Sequence, residues 1–162
     1  DLQVERENIL FLDLSNGQRV AIRLMPTWAP NHVERIKTLA RQGFYDGVIF
    51  HRVIDGFMAQ TGDPTGTGQG GSQLPDLAAE FNAVPHVRGT VSMARSQKPD
   101  SADSQFFIVF APSKWLDGQY SVWGQVIEGM NFVDQIKKGK GRSGRVKDPD
   151  VIVRMQVAAD AE

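Results

Sequence analysis

The sequence predicts a mainly β fold, a closed antiparallel barrel capped by two α-helices. Three observations carry that expectation. About seven or eight short strand-like runs follow one another, separated by turns and irregular loops. Helical periodicity occurs twice, once near each end of the chain. No regular strand–helix–strand alternation asks for a parallel sheet. The 162 residues fit one domain over 1–162, large enough to bury a core without covalent staples. No repeat, linker or low-complexity tract divides it.

The elements follow in order. Ile9–Leu14 and Arg19–Leu24 flank Ser15-Asn16-Gly17-Gln18, and Asn-Gly between β-rich runs signals a hairpin because both residues tolerate the positive φ of a type I′ turn. Pro30 opens a helix over 31–42 with Val33, Ile36, Leu39 and Ala40 on one face and Gly43 at its end. Residues 48–54 read as a strand, followed by Gly56-Phe57-Met58-Ala59-Gln60. The Gly-, Thr- and Gln-rich stretch 62–72 reads as an exposed irregular loop. Further strands are expected over 89–94, 105–111 and 120–126. Phe106 to Phe110 are apolar on both strand faces, which places them between packed layers. Met130, Val133 and Ile136 give 129–138 a helical stripe, and 151–157 forms the last strand.

Composition narrows the functions. Apolar residues make up 41% and charged residues 23%, with a net charge of −1, so no global field draws the chain to nucleic acid or to a membrane surface. Cysteine is absent, which removes disulfides, thiolate catalysis and Cys-type zinc sites. No apolar run approaches the roughly 18 residues of a membrane span. The first ten residues lack signal-peptide character, yet the chain begins with Asp1. That points to an exported, processed, periplasmic chain, with the cytoplasm as the alternative.

Several motifs have plain structural readings. Gly66-Thr67-Gly68-Gln69-Gly70-Gly71 matches G-x-G-x-x-G, but Pro75 stands where a helix should open and no acid follows to hold a ribose. His32, His51 and His86 lack metal-ligand spacing, and a Ser92–His51–Asp103 hydrolase lacks a nucleophile elbow. The run Lys137, Lys138, Lys140, Arg142, Arg145 and Lys147 reads as a helix C-terminus and a solvated loop, in preference to an RNA or acidic-partner surface.

Residues 50–60 are different: a His-Arg pair beside an apolar strand, then Phe57 and Met58 after a Gly turn. Phe50-His51-Arg52-Val53-Ile54-Asp55-Gly56-Phe57-Met58-Ala59-Gln60, Ser92-Met93-Ala94, Ser104-Gln105-Phe106-Phe107-Ile108 and Trp115-Leu116-Asp117-Gly118, in that order, resemble the cyclophilin family over nearly the whole chain, 8–157. The resemblance implies an eight-stranded antiparallel barrel with a proline-binding groove on its outer face. It further implies a cofactor- and metal-free peptidyl-prolyl cis/trans isomerase that assists folding of unfolded proteins and acts on proline-containing peptides, while charge and hydropathy give no reason to expect nucleic-acid or membrane partners and nothing argues against a monomer. Arg52 falls at the family's catalytic arginine. Phe57, Met58, Phe107 and Leu116 fall at the walls of the proline pocket. Gln60, Ala94, Gln105 and Trp115 fall where flanking substrate is held, and Trp115 implies a cyclosporin-type cyclic peptide ligand. Tyr120 and Arg95 stand where many members carry His and Asn. They keep an aromatic wall and add a positive charge to the groove rim. Two competing readings are a proline-segment binding module with incidental turnover and a nucleic-acid adaptor using 137–147.

Overall fold

The computed structural model describes residues 2–161, and its helices and strands run α1 (Leu2–Glu7), β1 (Ile9–Leu14), β2 (Arg19–Leu24), α2 (Pro30–Arg41), β3 (Arg52–Ile54), β4 (Met58–Thr61), β5 (Thr90–Met93), β6 (Phe106–Val109), β7 (Val122–Glu128), α3 (Met130–Val133) and β8 (Ile152–Val157). Single 3₁₀ turns stand at Lys114–Leu116 and Ala158–Asp160. The eight strands form one sheet in the order β3-β4-β6-β5-β7-β2-β1-β8, with every pairing antiparallel.

The β1–β2 hairpin has the expected strands and a different turn. Gly17 N–H donates to Leu14 C=O at 2.9 Å and Leu14 N–H to Gln18 C=O at 2.9 Å, and of the two central residues named by the sequence only Gly17 has positive φ (+84°). Asn16 instead accepts from Gln18 N–H through its side chain at 2.9 Å. This is a type I turn followed by a glycine bulge in place of a type I′ turn. Helix α2 ends as expected. Phe44 N–H bonds to Leu39 C=O and Gly43 N–H to Ala40 C=O, both at 3.0 Å, closing a Schellman motif.

The sheet curls into a half-barrel, which corrects the expectation of a continuous closed wall. Its end strands meet at one isolated bridge, Ile49–Val151, supported by Phe50 N–H to Asp150 C=O (3.0 Å) and Ile152 N–H to Val48 C=O (2.8 Å). The ladder stops there because another segment already occupies the outer edge of β3. Val53 N–H donates to Gly144 C=O at 2.9 Å, and Gly139 N–H to Val53 C=O at 2.8 Å. The expected strand over 48–54 is therefore regular only from Arg52. The second expected helix, 129–138, is also shorter. Helical hydrogen bonding is confined to the turn Met130–Val133, after which turns carry Ile136 into the core.

The two faces of β6 explain the double apolar pattern. Phe106 and Ile108 point into the main core with Leu10, Ile22, Val53 and Trp123. Phe107 and Val109 point the other way, into a second cluster with Met58 and Leu116. Trp123 is fully buried and meets Phe106 edge-to-face at 5.5 Å. A strand between two apolar layers thus sends one face to the core and the other to an outer groove.

Candidate active site

The groove lies over β3, β4 and β6, and its position follows from register. Arg52 pairs with Gln60, Gln60 with Phe107, and Phe107 with Ser92, so these four residues form one lateral row across adjacent strands. Arg52, Phe57, Met58, Gln60, Ala94, Arg95, Phe107, Leu116 and Tyr120 together line a cavity of about 120 Å³. That is about the liquid volume of four waters, enough for one small apolar ring. The second apolar cluster forms its wall. Met58, Phe107 and Leu116 are buried there, and Phe57, Ala94 and Tyr120 pack against them half-buried.

Aromatic geometry shapes the walls. Phe107 and Tyr120 meet at 5.6 Å and 89°, an edge-to-face pair in the cavity wall. Phe57 leans against Trp115 at 5.5 Å, and Trp115 is 67% exposed, forming a rim. Trp115 and Gln105 are the only expected site residues that do not line this cavity. Gln105 instead lines an adjoining cavity of about 400 Å³ with Gly68, Gly70, Ser101 and Asp103, and Gln60, Ala94 and Arg95 belong to both.

A chain of hydrogen bonds fixes the guanidinium. Arg52 Nε donates to Ser143 C=O at 3.1 Å and its Nη1 to Gln60 Oε1 at 3.1 Å. Gln60 Nε2 then donates to Gln105 Oε1 at 3.0 Å, and Gln105 Nε2 to the carbonyls of Gly68 (3.1 Å) and Gly70 (2.9 Å). The Gly-rich loop therefore ends a positioning relay. It is itself organised around the fully buried Asp63 carboxylate, which accepts from the N–H groups of Thr65, Gly68 and Gly70 and from the Thr65 hydroxyl. Burial alone would raise its pKa, but those donors outweigh it and hold the carboxyl down at about 2. No phosphate is needed to explain these glycines.

Arg95 closes the opposite rim. It donates to Gln119 C=O (3.1 and 2.8 Å) and to Ser96 C=O (2.9 Å), and its guanidinium lies 4.7 Å over the Tyr120 ring. The two departures from the family pattern therefore touch each other.

The sequence missed one supporting group. His86 is buried beneath the groove, its ring stacked on Phe107 at 6.0 Å and edge-on to Tyr120 at 6.2 Å. Its Nδ1 is 3.0 Å from Asp117 Oδ1 and its Nε2 is 3.0 Å from Ser92 Oγ. A Ser–His–Asp row thus exists, formed with His86 and Asp117; His51 and Asp103 make no bond to Ser92. Ser92 is fully buried, so no acyl chemistry can reach it. Burial lowers the His86 pKa and favours the neutral ring, and the Asp117 contact opposes that shift. Asp117 also accepts His86 N–H at 2.7 Å and directly follows the turn that carries Trp115 and Leu116, so it ties that wall to the groove floor. Asp117→Ala should lower kcat/KM by roughly fivefold to tenfold, the value of an ordinary hydrogen bond, because the exposed carboxylate is screened by water. Asp117→Asn keeps an acceptor oxygen and should restore most of it. Equal activity of the Ala variant and wild type in a protease-coupled assay would rule this tie out.

A proline-sized apolar slot lies beside a fixed guanidinium on the outer face of an antiparallel half-barrel, an arrangement suited to holding a proline ring. Comparison with known proteins gives the family. The family model described as cyclophilin type peptidyl-prolyl cis-trans isomerase/CLD matches residues 11–157, so the chain belongs to the cyclophilin-type peptidyl-prolyl cis-trans isomerases and is an enzyme of that activity. A probable peptidyl-prolyl cis-trans isomerase of Brucella suis is 52% identical over 168 residues, covering 96% of this chain and 85% of the relative. A peptidyl-prolyl cis-trans isomerase-like 1 protein of Aspergillus fumigatus is 40% identical over 155 residues, covering 93% and 95%. Among solved structures, a cyclophilin from Hirschia baltica superposes with a TM-score of 0.86 at 29% identity, covering 97% of this chain and 76% of that one. A Cryptosporidium parvum cyclophilin-type isomerase determined in the presence of the dipeptide Ala-Pro gives 0.83 at 29% identity, covering 92% and 98%.

Proposed function

We propose that Arg52 is the catalytic residue of this isomerase and that Phe57, Met58, Phe107, Leu116 and Tyr120 grip the proline ring. Gln60, Ala94, Arg95, Gln105 and Trp115 hold the flanking chain. The observation that carries the reading is that Arg52 and all five ring-gripping residues line one cavity of about 120 Å³.

The chemistry follows from the peptide bond. Resonance holds an Xaa-Pro bond behind a barrier of about 20 kcal/mol, while cis and trans differ by only about 0.5–1 kcal/mol. The enzyme therefore needs only to bind the twisted amide better than either planar form. In the twisted amide the nitrogen lone pair leaves conjugation and becomes a hydrogen-bond acceptor. A guanidinium stays charged at any working pH and can donate to it. Such a bond contributes about 1.5–3 kcal/mol, or roughly 10–150-fold in rate. The remainder comes from a water-poor slot that immobilises the ring while the preceding carbonyl turns.

Proline-containing segments of unfolded proteins are the substrates this slot suits, and a cyclosporin-type cyclic peptide would occupy the same walls, with Trp115 at the rim. An amide-shift titration with an Ala-Pro tetrapeptide tests the assignment. Shifts should concentrate at 52–60, 94–95, 105–107 and 115–120 and be displaced by the cyclic peptide. Shifts confined to other surfaces would refute it.

A further inference from the structure

The basic run in the sequence acquires a definite place in the fold. Arg145 forms an antiparallel bridge with Arg52, and Lys140 forms one with Arg145. Residues opposed in this way present side chains to the same face of a sheet. The site row therefore continues beyond the edge of β3: Phe107, Gln60, Arg52, Arg145, Lys140.

The hairpin that carries these cations is held tightly. Val146 N–H donates to His51 C=O at 3.2 Å and Val53 N–H to Gly144 C=O at 2.9 Å. A Cβ on Gly144 would lie 2.5 Å from Ile54 Cγ1, so only glycine permits this approach. Arg145 Nη1 donates to Thr67 C=O at 3.2 Å, which fixes its guanidinium beside the loop that lines the larger cavity.

Three like charges opposed across neighbouring strands destabilise a sheet. Elsewhere Arg19 pairs with Asp13, the buried Arg35 with Asp103, Arg41 with Asp160 and Arg88 with Asp134, while among the described residues Arg6, Arg95 and Arg154 form no ion pair. Among the described residues, Arg52, Lys140, Arg142, Arg145 and Lys147 form no ion pair. What sets this strip apart is placement: in a protein of net charge −1, Arg52, Arg145 and Lys140 stand opposed across neighbouring segments at the edge of the groove. A local rule broken at a functional edge is the expected mark of a role in binding.

We propose that the Arg145–Lys140 strip, continuing the row from Arg52, docks acidic side chains of the polypeptide substrate and so makes acid-flanked prolines preferred targets. The proposal rests on the placement of the proline slot beside Arg52. Strands lie about 4.8 Å apart, so Lys140 stands about 10 Å from Arg52 along the row, or roughly three residues of extended chain. Acidic residues two to four positions from the proline, roughly, are the ones that reach it.

The test compares Xaa-Pro peptides of identical core carrying Glu-Glu, Gln-Gln or Lys-Lys at the third and fourth positions before or after the proline. The kcat/KM is read at low and high salt. On one side of the proline, the Glu peptide should exceed the Gln peptide by roughly twofold to fivefold, as expected for exposed ion pairs, and the Lys peptide should fall below it. The advantage should vanish at 1 M salt and shrink in the Lys140→Gln variant, while the Gln peptide keeps its rate in both. Lys140→Glu, at a side chain with no hydrogen bond or ion pair among the described residues, should invert the order. Equal rates for Glu and Gln peptides on both sides overturn the proposal. So does a gain that survives high salt, or an RNA oligonucleotide that binds the strip while the Glu peptide gains nothing. Failure of the isomerase assignment itself would look different, because the neutral Gln peptide would not be turned over.

Discussion

Arg52→Ala should lower kcat/KM on an Xaa-Pro peptide by about 10- to 1,000-fold and leave the fold intact. The lower figure is the loss of one charged hydrogen bond to the twisted amide. The upper figure includes release of the relay, because Gln60 loses its 3.1 Å contact from the guanidinium and Gln105 then loses a fixed partner. Stability should hardly change. The side chain is half-buried, and its other bond is to the carbonyl of Ser143 on a segment that backbone bonds to Val53 already secure. A protease-coupled assay together with a thermal melt checks both parts. Unchanged kcat/KM would remove Arg52 from the mechanism.

Phe107→Ala should fail differently. The ring lies at the junction of the slot: 5% exposed, stacked on His86 and edge-to-face with Tyr120. Removing it forfeits about 2–3 kcal/mol of apolar contact to a bound proline, or roughly a 30- to 150-fold fall in kcat/KM. Most of that fall should appear as a raised KM, because the ring contacts planar and twisted substrate alike. The fold loses too. A buried Phe→Ala change costs about 3 kcal/mol or more, which lowers Tm by roughly 6–12 °C for a domain of this size. A variant that melts normally and binds peptide with unchanged KM would show that the slot lies elsewhere. Together the two substitutions separate the group that stabilises the twisted amide from the surface that holds the ring.

How much of this was legible in the residues depends on whether local chemistry or long-range register decided it. The β1–β2 hairpin and α2 are local, and their bounds read directly from alternation, from Asn-Gly and from the Pro30 and Gly43 punctuation. The turn type was not legible. It depends on the φ of Asn16, whose side chain finds a partner in Gln18 N–H and spares the residue a left-handed conformation. Strand β4 hid within Gly56-Phe57-Met58-Ala59-Gln60 because it is only four residues long and its groove face carries the apolar Met58 beside the polar Gln60, which masks the usual alternation. Helix α1 went unread because Leu2–Glu7 shows no extended apolar stripe.

Of the site, nine of the eleven residues assigned from the family resemblance line the small cavity, and Gln105 joins them through Gln60. Those positions came from four motifs read together, since a single Arg among apolar neighbours is ambiguous. The supports were invisible for a physical reason. His86 reaches Ser92 and Asp117 only after β5 and the 3₁₀ turn at Lys114–Leu116 are packed, and no spacing announces such a contact. The basic run presented the same difficulty. Its composition suggested a solvated loop, and only the bridge from Arg145 to Arg52 aligns it with the groove.

The most direct test of the central claim separates ground-state binding from rotation on the enzyme. Exchange NMR on a saturating Xaa-Pro peptide gives the on-enzyme cis/trans rate, and a titration gives Kd for the planar forms, in wild type and Arg52→Ala. A guanidinium that recognises the twisted amide predicts an on-enzyme rate reduced about tenfold or more with Kd changed less than about twofold. A Kd that weakens as much as catalysis falls, with the on-enzyme rate unchanged, would contradict the account.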